Sequence, residues 1–352
     1  MKIKRISKTR INNINQDNMS FGNYYSDHMF YAECKNGRWI NSVIKPFDNI
    51  ILSPISLVFH YGQAVFEGMK AFKDKDENVF LFRPKANFQR MNRSAQRLEM
   101  PMIPEYIFIN GLERLIDIDR KWIPKNYGQS LYIRPVFIAV DGILSAKPAK
   151  NYIFMIISTP VGSYYQHPLK IKIEEQYSRS ASGGVGFAKA AGNYASSFYP
   201  TRLAKEEGFD QLLWTDSSTH TKIEESGTMN VCFLIKNKLI TPKFNDNILK
   251  GITCTSIIDL AKKEGVEVQE RDLSISEVIY GLKKGIVQEA FGCGTAVVIN
   301  YFQMIGYKNQ KFCLPKIPDN NRLSICLKKK LLDIQHNLSD DPFDWRFKLK
   351  QF

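Results

Sequence analysis

The chain has 352 residues, 44% of them hydrophobic and 24% charged, a length that suits one large or two medium domains and a balance ordinary for a soluble globular protein. No apolar run approaches the ~20 residues needed to span a bilayer. The formal charge of +14 is scattered, with its longest run at Lys328-Lys329-Lys330, and it lacks the basic and aromatic interleaving of a nucleic-acid platform.

The basic start, Met1 to Arg10, has no apolar core behind it. It reads as a flexible terminus rather than a secretory signal, with a short organelle presequence as the alternative. Val79 to Phe82 reads as a strand, and Asn87 to Met100 as a helix stopped by Pro101. A second helix is expected from about Asn110 to Ile123. Leu131 to Val140 and Tyr152 to Ser158 are rich in Ile, Val, Tyr and Phe and read as buried strands. The pattern loosens from Tyr164 to Arg179, where a connection between domains is expected. A Gly-rich segment follows, Gly183-Gly184-Val185-Gly186, then a helix from about Ala195 to Glu207 that Pro200 is expected to kink or split. Short strands are expected at Gln211–Trp214, Asn230–Ile235, Leu239–Ile240, Val266–Gln269 and Glu289–Phe291, with helices at Cys254–Glu264 and Ser276–Lys284. This mixture argues for an α and β protein in two lobes.

The six cysteines, Cys34, Cys232, Cys254, Cys293, Cys313 and Cys326, form no C-x-x-C pair and match no zinc spacing. They read as reduced thiols in a reducing, cytoplasmic setting. The five histidines are isolated, and no metal site is expected.

Lys189 stands in Gly186-Phe187-Ala188-Lys189-Ala190-Ala191-Gly192-Asn193-Tyr194. Small neighbours let backbone and ligand approach closely, and a desolvated lysine can serve as a neutral nucleophile. On the lysine alone, a solvated surface residue is the better reading. The wider pattern decides. Arg179-x-x-x-Gly183-Gly184-x-Gly186-x-x-Lys189-x-x-Gly192-Asn193-Tyr194 is followed by Glu224-Glu225-Ser226-Gly227-Thr228-Met229-Asn230. Then come Leu249-Lys250-Gly251-Ile252-Thr253 and Gly292-Cys293-Gly294-Thr295-Ala296. In this order and spacing the four segments resemble those of the fold-type-IV pyridoxal-phosphate aminotransferases. In the first half, His60-Tyr61-Gly62-Gln63-Ala64-Val65-Phe66-Glu67-Gly68-Met69-Lys70, Phe82-Arg83-Pro84 through Arg90-Met91, and Tyr132-Ile133-Arg134-Pro135 resemble the branched-chain amino-acid aminotransferases. The resemblance runs from about Phe21 to Trp345.

The resemblance implies an α+β fold: a small N-terminal α/β domain over residues 1–165, a connection over 166–178, and a larger C-terminal pseudo-barrel domain over 179–352. It implies pyridoxal 5'-phosphate as cofactor, with Lys189 forming the Schiff base and moving the substrate proton. Glu225 would meet the pyridine nitrogen and Tyr194 the phenolic oxygen. Arg90, Ile252, Thr253 and Thr295 would form the phosphate cradle, and Arg179 and Thr228 would complete the cofactor set. Independently, Gly251-Ile252-Thr253 opens a predicted helix, whose free N–H groups suit an anion. The substrate side would comprise Phe21, Tyr61, Phe66, Tyr132, Arg134, Tyr164, Thr228, Thr295 and Ala296, with Arg134 receiving the second carboxylate of glutamate or 2-oxoglutarate. An arginine inside an apolar strand is costly unless paired, which supports that role separately.

The implied substrates are leucine, isoleucine and valine, their 2-oxo acids, glutamate and 2-oxoglutarate. The implied assembly is a homodimer, with the site at the domain interface and the loop through Asp141-Gly142-Ile143 reaching toward a neighbouring subunit. No nucleic acid and no membrane partner is expected. Lys250, Cys254 and Ser180 depart from residues common in the family. Val297-Val298-Ile299 follows Gly294-Thr295-Ala296, so no thiol switch is expected there. The alternatives are a D-amino-acid aminotransferase or aminodeoxychorismate lyase of the same fold, a basic nucleic-acid-binding protein, and an inactive relative.

Overall fold

The structure, a computed structural model, describes residues 1–13, 19, 21–162 and 167–352. The chain clusters into two compact units. One comprises Met1–Tyr164, Ala188–Gly192 and Leu332–Phe352, and the other Tyr165–Phe187 and Asn193–Leu331. Eight strands run through the first part of the chain: β1 (Lys2–Ile3), β2 (His28–Lys35), β3 (Arg38–Pro46), β4 (Ala64–Phe66), β5 (Met69–Lys73), β6 (Val79–Phe82), β7 (Ser130–Ala139) and β8 (Asn151–Val161). The second unit holds β9 (Leu169–Ile173), β10 (Gln211–Thr215), β11 (Ile223–Ser226), β12 (Asn230–Ile235), β13 (Lys238–Thr241), β14 (Glu267–Glu270), β15 (Val287–Gly294), β16 (Val298–Tyr307) and β17 (Gln310–Cys313). Strand β18 (Arg346–Lys348) belongs to the first.

The first unit's sheet has the order β1-β3-β2-β8-β7-β5-β6-β18, with β4 also paired to β7. Its C-terminal strand pairs antiparallel with β6, so the division into compact units crosses the linear one expected from sequence. Strand β7 shows why the sheet has two different faces. Leu131, Ile133, Phe137 and Ala139 alternate onto a core shared with Phe30, Phe154, Met91, Phe108, Leu112 and Leu115, as the period-2 pleat requires. The intervening Tyr132, Arg134 and Val136 occupy the other face. Helices α1 (Leu57–Tyr61), α2 (Pro84–Arg97) and α3 (Glu105–Ile118) complete this unit.

Several boundaries differ from the sequence reading. Helix α2 starts at Pro84, because proline is favoured in a first helical turn where its missing N–H is no loss. Helix α3 starts earlier than expected, at Glu105 directly after Pro104, and ends at Ile118. The apolar signal that ran on to Ile123 comes from a short 3-10 turn that buries Trp122. The hairpin of β2 and β3 was not read from sequence, although Asn36 and Gly37 at its turn take φ of 47° and 77°, the Asn-Gly hairpin geometry.

The second unit's mixed sheet has the order β11-β10-β9-β16-β15-β12-β13-β14, with β17 on β16. Its two edges meet. Ile223 N–H donates to Leu273 C=O at 2.8 Å and Ile275 N–H to Thr221 C=O at 2.8 Å, just past β14. That closure makes the sheet a pseudo-barrel. A cluster that includes Leu169, Ile171, Leu213, Val231, Phe233 and Ile305 forms its core. The helices that follow are α4 (Gly192–Ala195), α5 (Phe198–Glu206), α6 (Ile252–Lys263), α7 (Ile275–Lys283) and α8 (Leu323–Gln335), the last not read from sequence. Pro200 does not kink α5. It lies in the first turn, where no intrahelical N–H bond is lost. Among the described residues no helix is long and apolar enough to cross a membrane.

Candidate active site

Lys189 lies in a segment laid against β4. Its N–H donates to Ser94 Oγ at 2.9 Å and its C=O accepts from Phe66 N–H at 3.1 Å, while Ala191 N–H donates to Ala64 C=O at 3.0 Å. Ala188 and Ala190 on either side are buried, and Ala190 bridges Val65. Small side chains there let the segment lie flat on the strand, which fixes the direction of the lysine between them. The Lys189 Nζ is 4.8 Å from the centroid of the Phe66 ring.

Beneath the lysine is a carboxylate that the sequence reading placed in a motif but gave no role. Glu67 is fully buried. Its Oε1 accepts from Arg90 Nε at 2.6 Å and its Oε2 from Arg90 Nη2 at 2.8 Å. Oε2 also accepts from Asn87 Nδ2 at 2.6 Å and from Gly68 N–H at 3.0 Å. Burial pushes this carboxyl up, but the Arg90 guanidinium, Lys189 and Asn87 outweigh it and hold the group below the usual carboxylate range. Asn87, Arg90 and Ser94 share one face of α2 at i, i+3 and i+7 spacing. Ser94 Oγ bonds back to the Arg90 C=O at 2.9 Å, so one helix face serves both the carboxylate and the lysine backbone. An acid inside the apolar run Val65-Phe66-Glu67-Gly68-Met69 was the signal available in the sequence.

The predicted substrate residues of β7 gather at the same place. The Arg134 guanidinium lies 4.6 Å from the Phe66 ring centroid and donates to Tyr132 Oη at 3.2 Å. Phe21 meets Tyr132 edge-on, with ring centroids 4.8 Å apart. Gly68 is required here, because a Cβ would collide with the Tyr132 hydroxyl. Lys189, Arg90, Phe66, Tyr132, Arg134 and Phe21 are thus brought together within the first unit. Tyr61 is not among them. It ends α1, is 47% exposed, and its ring contact is with His60. Tyr164 lies outside the described residues.

The second unit presents a cleft lined by residues that include Arg179, Tyr194, Glu225, Thr228 and Leu249. Glu225 is only 4% exposed. Arg179 Nε lies 2.6 Å from its Oε2, and its Oε1 accepts from Leu249 N–H at 3.1 Å and Asn230 Nδ2 at 3.1 Å. The arginine is itself tied to the carbonyls of Gly186 and Asn247. The adjacent Glu224 points elsewhere, to Asn247 Nδ2 at 2.7 Å, and burial pushes its carboxyl up. Of the two neighbouring acids, the one at the cleft is the one paired with a fixed cation.

Gly251 caps α6, and a Cβ there would collide with Asn230 Oδ1. The same asparagine therefore ties the Glu225 carboxylate to the start of the helix. Ile252 and Thr253 are buried in the first turn of α6. Thr295 and Ala296 form the turn between β15 and β16, and Thr228 the tight turn between β11 and β12. A buried acid paired with an arginine, a tyrosine and a threonine at one cleft, and a helix of this length opening on Gly251 suit an aromatic nitrogen heterocycle carrying a phosphate.

Residues 64–300 match the family model described as Amino-transferase class IV. The chain is 41% identical to branched-chain-amino-acid transaminase 1 of Bacillus subtilis (strain 168), over 93% of each chain. It is 43% identical to the probable branched-chain-amino-acid aminotransferase of Staphylococcus aureus (strain N315), over 94% of each. In fold it is similar to the branched-chain amino acid aminotransferase of Thermobaculum terrenum, solved in its PLP form. The TM-score is 0.73 at 22% identity, covering 92% of this chain and 98% of that one.

Proposed function

The chain belongs to the class IV aminotransferases and groups there with the branched-chain-amino-acid transaminases, and from that premise we propose what its residues do. It transfers the amino group between L-leucine, L-isoleucine or L-valine and 2-oxoglutarate, with pyridoxal 5'-phosphate as cofactor. The observation that carries the reading is the Phe66 ring, which has the Lys189 amine 4.8 Å and the Arg134 guanidinium 4.6 Å from its centroid. A nucleophilic amine, an apolar surface for a branched side chain and a cation for a second carboxylate share one face.

When bound, the cofactor supplies an electron sink for the substrate carbon that loses its proton. Lys189 would hold the cofactor, and its amine would take the proton from the substrate Cα and later return one. Glu225, paired with Arg179, would hold a proton on the pyridine nitrogen. Tyr194, at the cleft, would donate to the phenolic oxygen. Arg90, Ile252, Thr253 and Thr295 would hold the phosphate, and Thr228 would complete the cofactor set. Phe21, Phe66, Tyr132 and Tyr164 exclude water around the aliphatic side chain. Arg134 binds the distal carboxylate of glutamate or 2-oxoglutarate. Backbone N–H groups of Thr295 and Ala296 bind the α-carboxylate.

The working form is a homodimer in the cytoplasm. Supporting the dimer, Ile51 (97%), Phe59 (62%) and Leu144 (61%) are strongly exposed, and the segments carrying them are joined by the Ser56–Gly142 bridge. Contiguous exposed apolar surface marks an interaction face. Tyr61, exposed on the same segment, then completes the substrate pocket of a second copy. Light scattering should report a dimer for the unaltered chain and a monomer for Phe59→Asp.

Purified protein with cofactor, mixed with L-leucine and 2-oxoglutarate, should form glutamate and the branched 2-oxo acid in equal amounts. Turnover of D-alanine with none of L-leucine would defeat the reading in favour of a D-amino-acid aminotransferase.

A further inference from the structure

Three cysteines far apart in sequence converge in the second unit. Cys232 lies on β12, Cys254 in the first turn of α6 and Cys293 on β15. Strands β12 and β15 pair antiparallel, with Asn230 opposite Cys293 and Cys232 opposite Phe291. The two strand cysteines are therefore diagonal neighbours on one face, and α6 brings the third. All three have zero solvent exposure, and their sulfurs lie within 4.8 Å of one another. Among the described residues no His, Asp or Glu joins the group.

We propose that Cys232, Cys254 and Cys293 form a buried three-thiol site for a trivalent, three-coordinate thiophilic centre, of which arsenic(III) is the probe. A centre about 2.3 Å from each sulfur, pyramidal because arsenic(III) carries a lone pair, needs sulfurs about 3.4 Å apart, which lies inside the 4.8 Å limit observed. The number of donors disfavours zinc, which takes four ligands in closed sites. Charge decides further. Three thiolates around a divalent ion leave one net negative charge in a fully buried place, and around a monovalent ion two, which is costly without a counter-ion. Three thiolates around a trivalent centre are neutral.

The chemistry balances without an oxidant. Arsenous acid, As(OH)3, reacts with three Cys–SH to give As(S–Cys)3 and three waters. Three As–O bonds break, three As–S bonds form, each S–H proton leaves in a water, and no oxidation state changes.

The site does not rest on the transaminase reading, and its test needs no turnover. Reduced holoenzyme should be incubated with arsenite, blocked with a thiol alkylator and analysed by intact mass and peptide mapping. The expected result is a gain of one arsenic less three hydrogens, with Cys232, Cys254 and Cys293 alone less alkylated on unfolding than in an arsenite-free control. The adduct should be lost in Cys293→Ala and unchanged in Cys313→Ser and Cys326→Ser, whose cysteines are exposed. No adduct, protection mapped to other cysteines, or stoichiometric retention of zinc in preference to arsenite would overturn the proposal. The mapping uses the unaltered chain, so a Cys293→Ala variant that fails to fold leaves it decisive.

Discussion

Two buried arginine–carboxylate pairs invite comparison, one in each unit. In the first, Glu67 is enclosed completely and its oxygens are taken by Arg90, Asn87 and Gly68. In the second, Glu225 is almost as buried but lines a cleft, and Arg179 approaches it from one side. The same ion pair thus serves two ends. Burying a charge is tolerable only when it is paired and hydrogen-bonded. Glu67 and Arg90 meet that condition among themselves and hold the ground on which Lys189 stands. Glu225 meets it while keeping a place at a ligand surface.

That contrast can be tested from its largest expected effect downward. Lys189→Ala removes the amine proposed to hold the cofactor. It should abolish the visible absorbance of lysine-bound cofactor and nearly all turnover, with the far-ultraviolet dichroism unchanged. In cofactor-free protein Glu67→Gln leaves Arg90 buried without its counter-charge and should cost about 3–5 kcal/mol of stability, read by urea denaturation. The pH dependence has a definite sign. A folded carboxyl held below its usual range stabilises above that range, and the contribution is lost as pH falls through the lowered value. The stability gap between wild type and Glu67→Gln should therefore be full at neutral pH and close in acid. A gap that widened in acid would contradict the pairing.

Glu225→Gln should behave oppositely. Arg179 keeps its carbonyl partners, so stability should change less than in Glu67→Gln, while kcat should fall by about 10²–10³-fold, as when one preorganised electrostatic partner is removed. Equal loss of stability in the two variants would erase the distinction drawn between the pairs. Arg134→Gln should raise KM for 2-oxoglutarate by about 10–100-fold, the worth of a charged hydrogen bond, and leave that for L-leucine much less altered. The smallest effect is expected for Gly251→Ala. The new methyl must displace Asn230 from its bonds to Glu225 and Leu249 C=O, at about 1–3 kcal/mol, measured as a lower Tm with weakened cofactor retention.

The sequence by itself determined the chemistry-bearing positions and the family. Local rules suffice where chemistry depends on residue type and short spacing: the lysine among alanines and glycines, the paired acids at Glu224 and Glu225, and the helix opening at Gly251. Tertiary structure alone decided what those residues meet. Glu67 gained its place from a helix face some twenty residues on, Arg179 took Glu225 rather than Glu224, and the C-terminal strand β18 returned to β6. Three cysteines with no motif spacing became one cluster because antiparallel register and a packed helix, not chain proximity, set the distance between side chains. Such contacts follow from which strand pairs with which, and in a sheet built largely from long-range pairings no local window carries that information.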